Sequence, residues 1–159
     1  MAFELAQVNI ARLLAPLDHA QLADFVAQLE PVNAAADGAP GFVWRLQADD
    51  GDATSIRAFE WDAGDSAGVI VNMSVWTGLE ELTAFVFSEA HRAVLRRRRE
   101  WFHRMSEPYT VCWWVPAGHR PTTDEAEDRI RNLRANGPNS QAFTLKESYP
   151  VPSEQVSSA

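Results

Sequence analysis

One cysteine, Cys112, stands among 159 residues. A lone thiol excludes an internal disulfide and a cysteine-based zinc site. No apolar run reaches the roughly eighteen residues of a membrane helix, so no membrane association is expected. The start, Met1-Ala2-Phe3-Glu4-Leu5, has neither a basic stretch nor a long apolar one, and no secretory signal is expected. Without signal or disulfides, the cytoplasm is the expected location. HxxxH and HExxH pairs, Gly-rich phosphate loops and dinucleotide fingerprints are missing. Zinc and nucleotide cofactors are therefore not expected. Basic residues are also scarce: 14 Lys and Arg stand against 22 Asp and Glu, a net charge of −8. Nucleic acid is disfavoured as a partner, because its binding draws on a basic surface. The acidic run Asp49-Asp50-Gly51-Asp52 lacks the later Glu that a calcium loop needs.

What remains is ordinary globular material, 46% hydrophobic and 23% charged, enough to bury a core. The expected organisation is one domain over 1–148 and a flexible Pro/Ser-rich tail over 149–159. Four strands are predicted, at 3–10, 42–46, 69–76 and 109–115. A helix is expected after Asp18, with Leu22, Phe25, Val26 and Leu29 at helical spacing, ended or kinked by Pro31. Residues 56–61 read as a short edge segment. A long helix is expected from Leu79 through Trp101 and Phe102. Thr122 with Glu125 forms a capping-box pattern, and Asn136-Gly137-Pro138 stops that last helix. Residues 142–146 read as a final short strand. This βαββαβ order predicts a ferredoxin-like α+β fold, an antiparallel sheet with helices on one face. Residues 69–76 and 111–115 are apolar on both faces. A second copy of the chain is then the simplest cover for the other face, predicting a homodimer.

Polar residues inside these strands mark a candidate site. Gln7 and Asn9 share one face by the period of two, and so do Asn72, Ser74 and Trp76. Amides facing the helices could orient a carbonyl or hold an oxyanion. The plainer alternative is a buried polar group linked by water. His91 on the long helix could act as general base, general acid or iron ligand, or simply bond a carbonyl or carboxylate. Six tryptophans exceed what a plain core requires. Trp44, Trp76 and Trp101 could stack on a flat substrate, or fill the core. Trp113 and Trp114 are adjacent in a strand and must face opposite ways. Arg96 to Arg99 sweep about 300° of a helix, so at least one approaches the protein body. It then needs a carboxylate partner or an anionic ligand. His103 and His119 are isolated, and Cys112 has no adjacent His to make it a nucleophile.

Three segments carry a resemblance. They are Leu5 to Arg12, then Val71 to Trp76 with Phe85 to Arg92 and Arg97 to Phe102, and finally Trp113 to His119. Together, over residues 3 to 146, they resemble a bacterial family of unknown function in the dimeric α+β barrel superfamily. That superfamily holds antibiotic-biosynthesis monooxygenases, muconolactone-isomerase-like enzymes, polyketide cyclases and haem-degrading monooxygenases. The resemblance implies a homodimeric α+β barrel acting on a small aromatic or polycyclic substrate in specialised metabolism. The implied chemistry is cofactor-independent oxygenation, cyclisation or ring-forming condensation. On this reading His91 moves the proton, Asn9 and Asn72 orient a carbonyl or oxyanion, and Gln7, Ser74, Trp44, Trp76 and Trp101 contact substrate. Residues 86–91 also resemble the axial-histidine helix of haem-degrading monooxygenases, and Asn9 falls where those enzymes carry a catalytic Asn. Their tryptophan, ten positions before the His, is Glu81 here. A haem protein with His91 as axial ligand is thus an alternative, and a non-catalytic small-molecule binder is a third.

Overall fold

The computed structural model describes residues 2–49 and 51–152. Its centre is strand β1 (Phe3–Arg12), paired antiparallel to β3 (Val69–Trp76) on one side and to β4 (Thr110–Pro116) on the other. Strand β2 (Phe42–Arg45) pairs with the outer edge of β3, giving the order β2-β3-β1-β4. This is the ferredoxin-like α+β arrangement expected from the element order. The β-branched and aromatic content of Val-Ile-Val-Asn-Met-Ser-Val-Trp suits a pleated, covered surface, and β3 has the predicted bounds.

Helix α1 spans Ala23–Asp37, α2 Leu79–Val86, α3 Glu89–Arg96, α4 Arg98–Trp101 and α5 Thr123–Asn136. They do not all lie on one face, as the sequence led us to expect. Val8, Val71, Met73 and Val111 pack with Ala126, Ile130 and Leu133 of α5 and with Phe59. The opposite face, with Leu5, Trp76 and Cys112, packs against Leu82 and Phe85 of α2. Helix α5 therefore supplies the cover that the sequence reading assigned to a second copy. Its amphipathic stripe at i, i+4 and i+7 was legible, but the face it would occupy was not.

The predicted long helix is broken twice. Phe87 and Arg97 leave helical geometry, and Ser88 turns extended at the start of α3. Pro31 does not end α1; it sits exposed within the helix, which continues to Asp37. Before α1 comes a 3-10 turn over Ala20–Leu22, capped by His19 and not by Asp18. The Thr122 cap is present, its Oγ1 accepting from Glu125 N at 3.1 Å. The 56–61 segment forms no strand, and the last strand is reduced to two isolated bridges, Phe143 with Cys112 and Ala142 with Asn139. Tyr149, assigned to the tail, is packed against Phe143, and its carbonyl accepts from Trp114 Nε1 at 3.0 Å. Residues 153–159 of the expected tail lie outside the described residues.

The turn into β2 requires glycine. Gly41 has φ +80°, and a Cβ there would fall on Glu81 Cβ and Cγ and on Thr77 Oγ1. Glu81 is thus packed beneath this turn. Gly41→Ala combines left-handed strain with a clash and should cost about 2 kcal/mol, read from the urea midpoint. A loss below about 0.5 kcal/mol would show that the turn relaxes freely.

Candidate functional site

The register of β1 between its neighbours builds the floor of a cavity. Gln7 lies opposite Ser74 and Cys112, and Asn9 opposite Asn72 and Thr110. The period of two then points all six side chains to the face under α1 to α3. A cavity of about 390 Å³ opens there, with Gln7, Asn9, Asn72 and His91 in its wall. That size is within the usual range for small-molecule sites. The sequence-predicted polar set is therefore brought together on one floor.

The amides form a directed network. Gln7 Nε2 donates to Ser74 Oγ at 2.7 Å and to Asn72 Oδ1 at 3.0 Å. Asn9 Nδ2 donates to Gln7 Oε1 and to Asn72 Oδ1, both at 3.3 Å. Trp76 Nε1 donates to Ser74 Oγ at 2.8 Å. Asn72 Oδ1 thus accepts twice, which fixes that amide with its nitrogen turned away from the network. Asn72 Nδ2 has no partner among the described residues, so its N–H groups remain for a ligand. Gln7 and Ser74 are buried, while Asn72 is exposed at the open side. Ser74 is not in the wall; it anchors Gln7 from beneath.

His91 reaches the same cavity from α3. The break after α2 leaves orphan carbonyls at that helix end, and His91 Nδ1 lies 3.1 Å from the carbonyl oxygen of Val86. A carbonyl only accepts, so Nδ1 carries the proton and Nε2 holds the lone pair. Nε2 has no partner among the described residues. Burial pushes the imidazole below the ordinary histidine value, against a smaller opposing pull from the Val86 bond. His91 is neutral at neutral pH as a result. The ring is braced by Phe85, 5.4 Å away between centroids, and Phe85 stacks on Trp76 at 5.2 Å.

The tryptophans do not line the cavity. Trp76 and Trp101 are each 1% exposed and belong to the core. Trp76 serves the site indirectly, by holding Ser74 and Phe85. Trp101 packs with Phe25 at 5.3 Å beside α1. Trp44 is turned to the α5 face, because a register shift between Phe42 and Trp44 reverses its side. The aromatic wall is made instead by Phe25, Phe102 and Tyr109, which the sequence did not single out. Cys112 also borders the cavity, but burial pushes its thiol up to about 12, so it stays protonated.

The arginine run divides in two. Arg96 pairs with Glu89 at 3.0 Å, and Arg97 pairs with Asp24 and Glu100, both at 2.8 Å. Arg98 and Arg99 line the cavity and have no acidic partner among the described residues. His103 is also in the wall. His119 lies elsewhere, bonded to Glu125 at 2.7 Å. Among the described residues no group of three or more His, Cys, Asp or Glu is placed to hold a metal ion. No described helix is long and apolar enough to cross a membrane.

The fold and site define an α+β protein with a partly apolar cavity floored by amides and reached by the neutral imidazole of His91. The chain belongs to the family described as "Domain of unknown function (DUF3291)", whose sequence profile matches residues 4–159. This is a family of unknown function, as the motifs implied. No curated protein matches the chain in sequence. Among solved structures, PA3566 from Pseudomonas aeruginosa is 10% identical, with 77% of this chain and 98% of that one covered at a TM-score of 0.47. NE2512 from Nitrosomonas europaea, a protein of unknown function, is 18% identical, covering 76% and 96% at 0.42. SnoaB from Streptomyces nogalater, a cofactor-independent oxygenase, is 17% identical, covering 75% and 97% at 0.43.

Proposed function

We propose that this protein is a small-molecule enzyme that ionises an aromatic substrate at a benzylic C–H conjugated through the ring to a carbonyl, and passes the resulting enolate to molecular oxygen without a cofactor. The observation that carries the reading is the Nδ1 bond to Val86, which leaves a neutral Nε2 base in the wall of the amide-floored cavity. His91 Nε2 takes the proton. The free N–H groups of Asn72 hold the oxygen on which charge develops, and Gln7 and Asn9 keep that amide from rotating. Phe25, Phe102 and Tyr109 cover the rings. For a CH₂ flanked by two rings, the enolate gives its electrons to oxygen and forms a hydroperoxide. Loss of water then leaves a ketone, so CH₂ and O₂ become C=O and H₂O. Cyclisation or ring-forming condensation would begin with the same proton transfer and differ in the electrophile that follows.

An anthrone tests this. Oxygen uptake above the spontaneous rate is expected, with one atom of labelled O₂ in the quinone carbonyl. No uptake above background at any pH where the protein is folded would refute oxygenation. Asn72→Ala should lower kcat by about tenfold or more with a smaller change in KM, because its donors matter most when charge has developed.

The bond that orients His91 also favours a second reading, since histidines that ligate iron are held through their other nitrogen in the same way. His91 could then serve as an axial haem ligand, and haem would supply oxygen activation. This reading requires a Soret band on adding haemin that disappears in His91→Ala.

A further inference from the structure

The charge around the cavity is opposite to that of the protein. The chain carries −8, yet three arginines (Arg45, Arg98 and Arg99) and a single aspartate, Asp52, are found in the described cavity wall. Arg45 is neutralised by Asp37 at 2.8 Å, and its Nη1 donates to the Gly51 carbonyl at 2.7 Å. Asp52 Oδ1 accepts from Thr54 N at 2.8 Å and from Thr54 Oγ1 at 2.6 Å. Arg98 and Arg99 differ from both. They have no hydrogen-bond or ion-pair partner among the described residues, although Arg96 and Arg97 beside them are fully paired. Arg92, Arg104 and Arg120 are also without an ion pair among the described residues, but only Arg98 and Arg99 of these border the cavity. Two adjacent ones left over at one cavity leave a forked set of donors suited to a planar anion.

We infer that the ligand of this cavity carries a carboxylate, held by Arg98 and Arg99 while its aromatic part enters toward His91 and Asn72. The inference deepens the proposed function and rests on its placing the substrate in this cavity. It names the substrate class as an aromatic acid. The two guanidinium groups are exposed, so screening limits what each contributes. Together they should give about a tenfold preference for the carboxylate over a neutral analogue.

The test uses anthracene-9-carboxylate and anthracene-9-methanol, followed by their own fluorescence, on the full chain. Neither probe has the acidic CH₂ that the proposed chemistry needs, so binding is read apart from turnover. The wild type should bind the carboxylate about tenfold more tightly, with the preference shrinking as salt is raised. The double variant Arg98→Gln, Arg99→Gln should remove the preference by weakening the acid alone. Unchanged binding of the alcohol shows that the cavity has kept its shape. Equal affinities in the wild type, no detectable binding of the acid, or an equal loss for both probes in the variant would overturn the inference. A neutral anthrone turned over without any acid preference would sink this inference and leave the proposed chemistry standing. Acid preference without oxygen uptake would do the reverse.

Discussion

His91→Ala should lower kcat by about a hundredfold to ten-thousandfold, the usual contribution of a positioned general base. KM should change little, because the proposed function gives the rings to Phe25, Phe102 and Tyr109, which line the cavity, and not to the imidazole. The fold should survive, since the ring borders an open cavity and the Val86 carbonyl it leaves can be met by water. The same assignment fixes the pH profile. Burial lowers the pKa of His91, so the neutral base is present above the ordinary value of about 6.5 and is lost only further into acid. The wild-type profile of kcat/KM should therefore be flat through neutrality and fall on an acid limb with its midpoint below 6.5. That limb should vanish in the residual activity of the alanine variant. Full activity in His91→Ala, or an acid limb that persists in it, would remove the imidazole from the chemistry.

The floor of the site was legible because two rules were enough to place it. The period of two put Gln7 with Asn9 and Asn72 with Ser74, and antiparallel pairing then brought the two sets opposite each other. His91 was legible only as a residue type. Its lone pair is freed by the helix break at Phe87 and Ser88, and a continuous apolar stripe in the sequence conceals that break. The tryptophans misled for a physical reason. An indole gains as much from a core as from a ligand, so its identity does not select between them. For Trp44 a single bulge decided the face, and a bulge has no strong signature in Phe-Val-Trp-Arg. The arginine sweep showed that some guanidinium must turn inward but not which one. Choosing among the four needed Asp24, an acid 73 residues from Arg97 that the fold alone brings close. The side taken by α5 was hidden similarly: it was read correctly as a helix, and nothing local said that it would cross to the other face of the sheet.

The largest stability loss is expected from Asp62→Asn. Asp62 is 8% exposed, and its carboxylate accepts from Arg134 Nη1 at 2.8 Å, from Arg134 Nη2 at 3.1 Å and from Arg12 Nη2 at 2.8 Å. Its backbone carbonyl accepts from Arg12 Nε at 2.7 Å. One side chain thus ties the end of β1, three residues beyond Asn9, to the last turn of α5. Burial alone would raise its pKa, but the bonds from Arg134 and Arg12 outweigh it and the net shift is downward. An amide in its place keeps the shape and removes the charge, leaving Arg134 without a carboxylate and Arg12 with Glu107 alone, at 2.6 Å. Breaking such a pair typically costs about 3 kcal/mol or more. Urea unfolding at neutral pH should show that loss as a lower midpoint with an unchanged slope. The pH dependence follows from the sign of the shift. A carboxylate whose folded pKa is depressed contributes fully above its unfolded value of about 3.8 and less as pH falls through the folded one. The gap between wild type and Asp62→Asn should therefore be widest at neutral pH and close in strong acid. A gap below about 1 kcal/mol at neutral pH, or one that does not narrow in acid, would mean that the two arginines find other partners when Asp62 is removed.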